Sequence, residues 1–503
     1  MRLFHLLANL PSCKIPEEGI EQEIRGISCD SRTVHVGDLF VCLPGAEEDG
    51  HAYARAAYER GCRAFLGEYP PPGLPQDACI AYVPDSHRAL AALAAAFYGF
   101  PEKEMTLIAL TGTKGKTTTA WMIYHLLTRC GVACGYIGSG GVMYGNVFEK
   151  TVNTTPSALE LRRIFADMRR AHVRTAVMEV SSQALSLGRV LGLSFPICLF
   201  TNLAPDHIGE GEHPDMAHYR SAKATLFSDY GCRVMVANAD DESTPYMMAG
   251  ASAERVLTVS CRRDDGTLFA DRIRGIRTEE GFYTAFHLHA EDDRDIPLTL
   301  PLPGTCNVSN AMLALCGARA ALAMGGEDRN FRTLAAYLSD VRVPGRFARV
   351  KTPLAGVDFI IDYAHNGYSL RAAITALRTY GPRRLVCLFG SVGGRTYSRR
   401  TELGEAACLA DFCIVTTDNP GDEDPVHTMQ EICRVLDAAG QEYVAIPDRR
   451  EAIRYAVHHA RAGDMVLLAG KGHEDYQLIG NRREPFCERE ILLAAAADAR
   501  VPI

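Results

Sequence analysis

Short apolar runs recur along this chain, each followed by a polar, glycine-rich turn and then by a stretch with helical spacing. Met105-Thr106-Leu107-Ile108-Ala109-Leu110 is short enough to be a buried strand. Ala120-Trp121-Met122-Ile123-Tyr124-His125-Leu126-Leu127 follows it with apolar residues spaced for a helix face. The same alternation predicts strands over 175–180, 197–201 and 233–238. Around Val343-Pro344-Gly345-Arg346 it breaks, and it resumes with apolar runs over 359–361, 385–389, 412–415 and 465–468. Ahead of both regions, an alanine-rich helical pattern over 86–98 ends in Gly99-Phe100-Pro101-Glu102-Lys103-Glu104, which reads as a linker. Strands alternating with helices predict the α/β class, with a largely parallel central sheet and a smaller Rossmann-like α/β domain after it. Three domains follow, over 1–103, 104–343 and 344–503.

Composition adds boundaries to this picture. A chain of 503 residues exceeds what one core organises. With 47% hydrophobic and 23% charged residues it is an ordinary globular sequence. A formal net charge of −8 argues against a general nucleic-acid or membrane-surface binder, while leaving room for a local basic pocket. No apolar run approaches a membrane span and the N-terminus carries no leader pattern, so no membrane insertion and a cytoplasmic location are expected. Seventeen cysteines form no C-x-x-C pair and lie in apolar runs such as Val41-Cys42-Leu43. They read as small buried hydrophobes, not as a disulfide or zinc framework.

The candidate chemistry begins at Thr111-Gly112-Thr113-Lys114-Gly115-Lys116-Thr117-Thr118-Thr119, a shortened phosphate loop between predicted strand and helix. Its glycines let backbone amides approach a triphosphate. Lys116 can reach the terminal phosphates, and the Thr117 hydroxyl can ligate magnesium. Glu179 ends the run Val177-Met178-Glu179, and the carboxyl ends of parallel strands are where such sheets bind ligands, so it can hold the same metal through oxygen. His207, in Thr201-Asn202-Leu203-Ala204-Pro205-Asp206-His207, is a candidate second ligand. Lys223 sits on a predicted helix and by itself reads as a surface lysine. The third region offers polar clusters at Asp362–Asn366, Asp418–Pro425 and Gly470–Asp475, each after a strand and all expected to meet in one crevice, where acids near Arg395 can hold a zwitterion. In the first region, residues 28–32 and 36–45 read equally as a small-ligand pocket or a hairpin.

Taken together and in order, these motifs resemble the Mur ligase family of ATP-dependent amide-bond-forming enzymes, and most of all its members that add the third residue of the peptide stem. The likeness spans nearly the whole chain. Its most specific parts are Asn153-Thr154-Thr155 and Gly470-Lys471-Gly472-His473-Glu474-Asp475-Tyr476-Gln477. It implies a UDP-sugar-binding first domain, a central ATP-binding domain and a C-terminal amino-acid-binding domain. It implies that ATP is held by Gly112, Thr113, Lys114, Gly115, Lys116, Thr117, Thr118, Asn307, Arg346 and Asp362. UDP-N-acetylmuramoyl-L-alanyl-D-glutamate would be held by Ser31, with Gly45 and His51 more weakly, and by Asn153, Thr154, Thr155, Ser181 and Arg189. Arg395, Asp418, Asn419, Gly470 and Glu474 would recognise the incoming amino acid. Lys116, Glu179, His207 and Lys223 would be catalytic, and Mg2+ would bind Thr117, Glu179, His207 and a carbamylated Lys223. Carbamylation needs a neutral amine, so the pKa of Lys223 must be lowered locally. A monomer is expected.

Two positions depart from the family pattern. Members that add meso-diaminopimelate carry an arginine after Asp-Asn-Pro, whose fork binds the distal carboxylate; here Gly421 stands there. That substitution, with the acidic run Asp422-Glu423-Asp424, points to L-lysine, with meso-diaminopimelate as the alternative. The segment 390–400 also differs from the family's glycine-rich sequence while keeping Arg395 in register. The alternative within the superfamily is a folylpolyglutamate synthetase, which lacks both the first domain and the Gly-Lys-Gly-His-Glu-Asp string.

Overall fold

The structure, a computed structural model, describes residues 1–16, 19–45, 48–209, 212–291, 293–394 and 397–499. Three main sheets follow one another along the chain. The first is parallel, with strands Gly26–Ser28, Asp38–Val41, Ala64–Gly67 and Cys79–Tyr82 in sequence order. Residues 28–45 are therefore not a hairpin: the strands at Gly26–Ser28 and Asp38–Val41 run the same way. The linker folds into the turn Pro101–Glu104 and is anchored, with Glu102 ion-paired to the buried Arg162 at 3.4 Å.

The central sheet has a parallel middle in the order Arg255–Ser260, Val234–Asn238, Ile197–Phe200, Thr106–Thr111, Thr175–Glu179, Cys134–Gly138. These strands are buried on both faces, one under the helices Lys116–Arg129 and Thr305–Met324, the other under Ala158–Arg170 and Met216–Ser228. A sheet covered twice needs nearly continuous apolar strands, which is why they are legible as runs. Antiparallel wings extend it at both ends, which the reading of a largely parallel sheet lacks. One adds Gly141–Tyr144 and Val147–Glu149; the other adds the hairpins of Leu268–Arg277, Phe282–Ala290 and Ile296–Leu300. Phe282–Ala290 alternates buried and half-buried residues throughout, the pattern of a strand with one covered face. This wing braces the third sheet: Tyr380 Oη donates to Tyr283 O at 3.1 Å and Arg349 Nη1 to Glu279 O at 2.7 Å.

The third sheet runs Ala348–Val350, Asp358–Asp362, Asp464–Ala469, Arg384–Phe389, Phe412–Val415, Tyr443–Ala445, parallel except for its first strand. All seventeen cysteines are free. Burial raises thiols such as Cys134 and Cys413 to about 12, so they are packing groups and not nucleophiles.

Candidate active site

Register builds the centre of the site. Leu110 pairs with Glu179 and Phe200 with Thr111, so the loops leaving three neighbouring strands meet at one sheet end. Thr201 and Asn202 fasten the phosphate loop there. Thr201 Oγ1 donates to Lys114 O at 2.6 Å, Asn202 Nδ2 donates to the same oxygen at 2.9 Å, and Asn202 Oδ1 accepts from Lys114 N–H at 2.9 Å. The helix Lys116–Arg129 starts from Gly115 in the left-handed region (φ 85°) with no side-chain cap, leaving its first amides for a ligand. A Cβ on Gly115 would lie 2.5 Å from Asn310 Oδ1, so the loop is also closed against the helix Thr305–Met324.

Glu179 is fully buried and satisfied. It accepts from Thr117 Oγ1 at 3.0 Å, Tyr136 Oη at 2.7 Å and Ser139 N–H at 3.0 Å. Lys116 Nζ donates to Gly112 O at 2.7 Å and Thr113 O at 3.1 Å, and Lys223 Nζ reaches the same Gly112 carbonyl at 3.1 Å. Lys223 is not a surface lysine but lies buried under the loop. Its burial, with Lys116 and Lys114 beside it, drives its pKa well below the ordinary lysine range. Burial lowers Lys114 to about 8 although Asp206 opposes it.

Asp206 gathers four donors: Lys114 Nζ at 3.0 Å, Asn366 Nδ2 at 2.9 Å, Arg399 Nη1 at 3.2 Å and His207 N–H at 3.1 Å. Burial raises its pKa, but Lys114, His207 and Arg399 outweigh it and hold the carboxyl below the usual range. His207 itself has a left-handed backbone (φ 56°) and its Nδ1 lies 3.1 Å from Glu212 Oε1. Among the described residues no group of three or more histidine, cysteine or acidic side chains is arranged to hold a metal ion. Thr117 and Glu179 do meet, and they offer the oxygen donors that suit magnesium.

A cavity of about 680 Å³ opens here between the central and third sheets. Lys116, Thr117 and Glu179 line one wall and Arg346 and Asp362 the other, while Asn153, Thr154, Ser181, Arg189, His207 and Asn307 complete it. Asp362 accepts from Phe347 N–H and Ala364 N–H, both at 2.9 Å, and burial raises its pKa. Several lining residues escaped the sequence reading, among them Ser139, Asn238, Asp240 and Asp241. The signal was available, since all stand at or just beyond the carboxyl ends of strands.

Other predicted residues lie outside this lining. Thr155 is fully buried; its hydroxyl donates to Glu179 O at 2.9 Å and accepts from Ser181 N–H at 3.0 Å, and its carbonyl accepts from Arg189 at 3.1 Å. It holds the backbone of the residues around it. Ser31 sits in a turn of the first sheet, and His51 there is buried with both ring nitrogens engaged, by Asp49 Oδ1 and by Glu68 N–H. Arg395 lies outside the described residues.

The three polar clusters of the third region do converge. Asn419 Nδ2 donates to Glu474 Oε2 at 3.0 Å, and Lys471, wholly buried, contacts Asp418 Oδ1 at 3.3 Å, Glu474 Oε2 at 3.4 Å and Asn419 Oδ1. Asp418 is 2% exposed, with Oδ2 turned beneath Gly470. Gly421 has φ +59°, is tied to Leu478 O and Gly480 N–H, and has no atom within 4 Å of where a Cβ would stand. Of the three acids after it, Glu423 is engaged by Arg400 and Gly394 N–H, and Asp424, though exposed, caps the helix Pro425–Ala439, so Asp422 is the exposed acid that is not a helix cap. The acidic run is thus a weaker argument for lysine than its sequence suggests.

Three family models cover most of the chain: "Mur ligase family, catalytic domain" over 23–98, "Mur ligase middle domain" over 110–318 and "Mur ligase, glutamate ligase domain" over 345–472. The chain belongs to the Mur ligase family. Similar proteins are the UDP-N-acetylmuramoyl-L-alanyl-D-glutamate–2,6-diaminopimelate ligases of Syntrophomonas wolfei (37% identical, 98% of each chain) and Geobacillus kaustophilus (38%, 99% of this chain and 100% of that one). A solved structure of a ligase with that name aligns over 100% of both chains at a TM-score of 0.67 and 27% identity. A folylpolyglutamate synthase of Mycobacterium tuberculosis shares the fold over 82% of this chain and 94% of its own, with a TM-score of 0.59 and 19% identity. As a Mur ligase the protein is an ATP-dependent ligase of the α/β class with three family domains. No helix among its described residues is long and apolar enough to cross a membrane.

Proposed function

We propose that this Mur ligase joins an amino acid to the D-glutamyl end of UDP-N-acetylmuramoyl-L-alanyl-D-glutamate, consuming ATP and releasing ADP and phosphate. One observation carries the reading: a single cavity has the phosphate loop on one wall, Arg346 and Asp362 on the other, and Asn153, Thr154 and Arg189 beside them. A carboxylate is a poor electrophile, because its leaving group would be oxide. Transfer of the γ-phosphoryl group makes it an acyl phosphate, which the incoming amine attacks with loss of phosphate. The loop amides and Lys116 hold the transferring phosphates, and Arg346 offsets charge from the opposite wall. Thr117 and Glu179 would hold Mg2+ with His207 and carbamylated Lys223; bound there, magnesium supplies neutralisation of phosphoryl charge. The lowered pKa of Lys223 supports carbamylation, since it leaves a neutral amine to react with carbon dioxide. Ser31, Ser181 and Arg189 would hold the UDP-sugar substrate, with Thr155 acting through the backbone it pins. Asn419, Gly470 and Glu474, backed by Asp418 and joined by Arg395, would hold the amino acid. The working unit proposed is a monomer acting in the cytoplasm.

The amino acid proposed is L-lysine, on the strength of Gly421. The second reading, meso-diaminopimelate, rests on the names of the relatives. Phosphate release with the UDP-muramoyl-dipeptide and a panel of amino acids decides between them, with Lys116→Ala as the inactive background. L-lysine is expected to give the higher kcat/KM. A clear preference for meso-diaminopimelate removes the lysine reading, and no release with any amino acid removes both.

A further inference from the structure

One side chain touches both the nucleotide cavity and the amino-acid cluster. Tyr363 lines the cavity, and its ring faces the Arg346 guanidinium at 4.8 Å from the ring centre. Its hydroxyl donates to Glu474 Oε1 at 3.2 Å. Glu474 is held from the other side, where Oε2 takes Asn419 Nδ2 and Lys471 Nζ. The backbone leaves Tyr363 little freedom. Its N–H donates to Gly345 O at 3.2 Å, and Asp362 before it is bonded to Phe347 N–H and Ala364 N–H. The rings of His365 and His473 flank it at 4.7 and 4.9 Å. The aromatic face thus meets the Arg346 guanidinium, which lines the cavity, while the phenol hydroxyl meets the Glu474 carboxylate, which is bonded to Asn419 and Lys471.

We infer that Tyr363 is a positioning residue that sets Glu474 against Arg346, so that the amine of the incoming amino acid is aligned with the phosphorylated carboxyl group. The two ends of the side chain do separable work: the hydroxyl orients Glu474 and the ring orients Arg346. This rests on the functional reading above, in which Glu474 serves the amino acid and Arg346 serves ATP.

The separation is testable with Tyr363→Phe, which removes only the hydroxyl, and Tyr363→Leu, which removes the ring as well. A hydrogen bond to a charged group is involved, so Tyr363→Phe should raise KM for the amino acid about tenfold, with KM for ATP unchanged. Tyr363→Leu should raise both. Binding of a non-hydrolysable ATP analogue, measured by calorimetry without amino acid, should be weakened in Tyr363→Leu and unchanged in Tyr363→Phe. An unchanged amino-acid KM in Tyr363→Phe, or equal rises in both KM values, overturns the inference. If the wild-type enzyme uses no amino acid at all, the functional reading has failed instead. The calorimetric arm then decides: a Tyr363→Leu protein that binds the analogue as tightly as wild type overturns the role of Tyr363. Should Tyr363→Leu not fold, the KM pattern of Tyr363→Phe carries the test alone.

Discussion

On the proposal that L-lysine is the substrate, Gly421 would act on specificity through the side chain it lacks. Its backbone is left-handed, yet the space beyond its Cα is open. An arginine would fit sterically, at a backbone cost of about 1–2 kcal/mol for a non-glycine residue in that region. Gly421→Arg is therefore expected to fold with slightly reduced stability and to raise kcat/KM for meso-diaminopimelate relative to L-lysine. The size should be about ten- to a hundredfold, from one charge-assisted carboxylate pair. An unchanged ratio in the amino-acid panel would show that this position does not face the distal carboxylate. His473 gives a second prediction. Burial, helped by the Arg346 charge, lowers its pKa to about 4. Its neutral form is thus favoured by folding, and the unfolded chain binds more protons between about 4 and 6.5. Stability should hold above about pH 6.5 and fall as the pH drops toward 4, by on the order of 3 kcal/mol. His473→Asn should flatten that part of a denaturant-stability profile; an unchanged slope would assign the acid sensitivity to other groups.

At the scale of elements, the phosphate loop works because a strand, a turn and two helices agree. Gly115 turns the chain into the helix Lys116–Arg129 and lies against Asn310 of the helix Thr305–Met324. Gly115→Ala must relieve both a 2.5 Å approach and a φ of 85°. A strain of about 1–3 kcal/mol is expected, seen as a lower melting temperature and a several-fold rise in KM for ATP. An alanine variant with wild-type KM would mean that Asn310 moves freely. The strand–loop–helix unit was legible because doubly covered parallel strands must be apolar and the loops at their carboxyl ends must be polar. The wing Leu268–Leu300 was not, although Phe282–Ala290 alternates cleanly, because its residues are only half apolar and their partner is the neighbouring hairpin strand. Thr155 illustrates the same limit at a site: nothing in Asn-Thr-Thr says which hydroxyl faces a ligand and which one pins Glu179 and Ser181.

At the scale of the molecule, Asp206 ties the phosphate loop to the third sheet through Lys114, Asn366 and Arg399. Asp206→Asn removes the carboxylate that Lys114 and Arg399 share, which should cost on the order of 3 kcal/mol. Amide exchange should then rise in 362–366 and 397–400 more than in the strands of either sheet. Equal exchange in wild type and variant would show that the two regions are held by other contacts, such as the wing against Tyr380 and Arg349. The alternation of apolar strands and helices in the parallel parts of the central and third sheets, the phosphate loop and the polar clusters at strand ends were determined by the sequence alone, because burial and turn chemistry act over a few neighbouring residues. Tertiary structure decided which of those polar residues share a cavity, that Lys223 is buried and lowered in pKa, and that Glu423 is already engaged by Arg400 and Gly394. Those outcomes depend on groups tens to hundreds of residues apart in the chain, whose mutual distance and solvent exposure exist only once the sheets have packed.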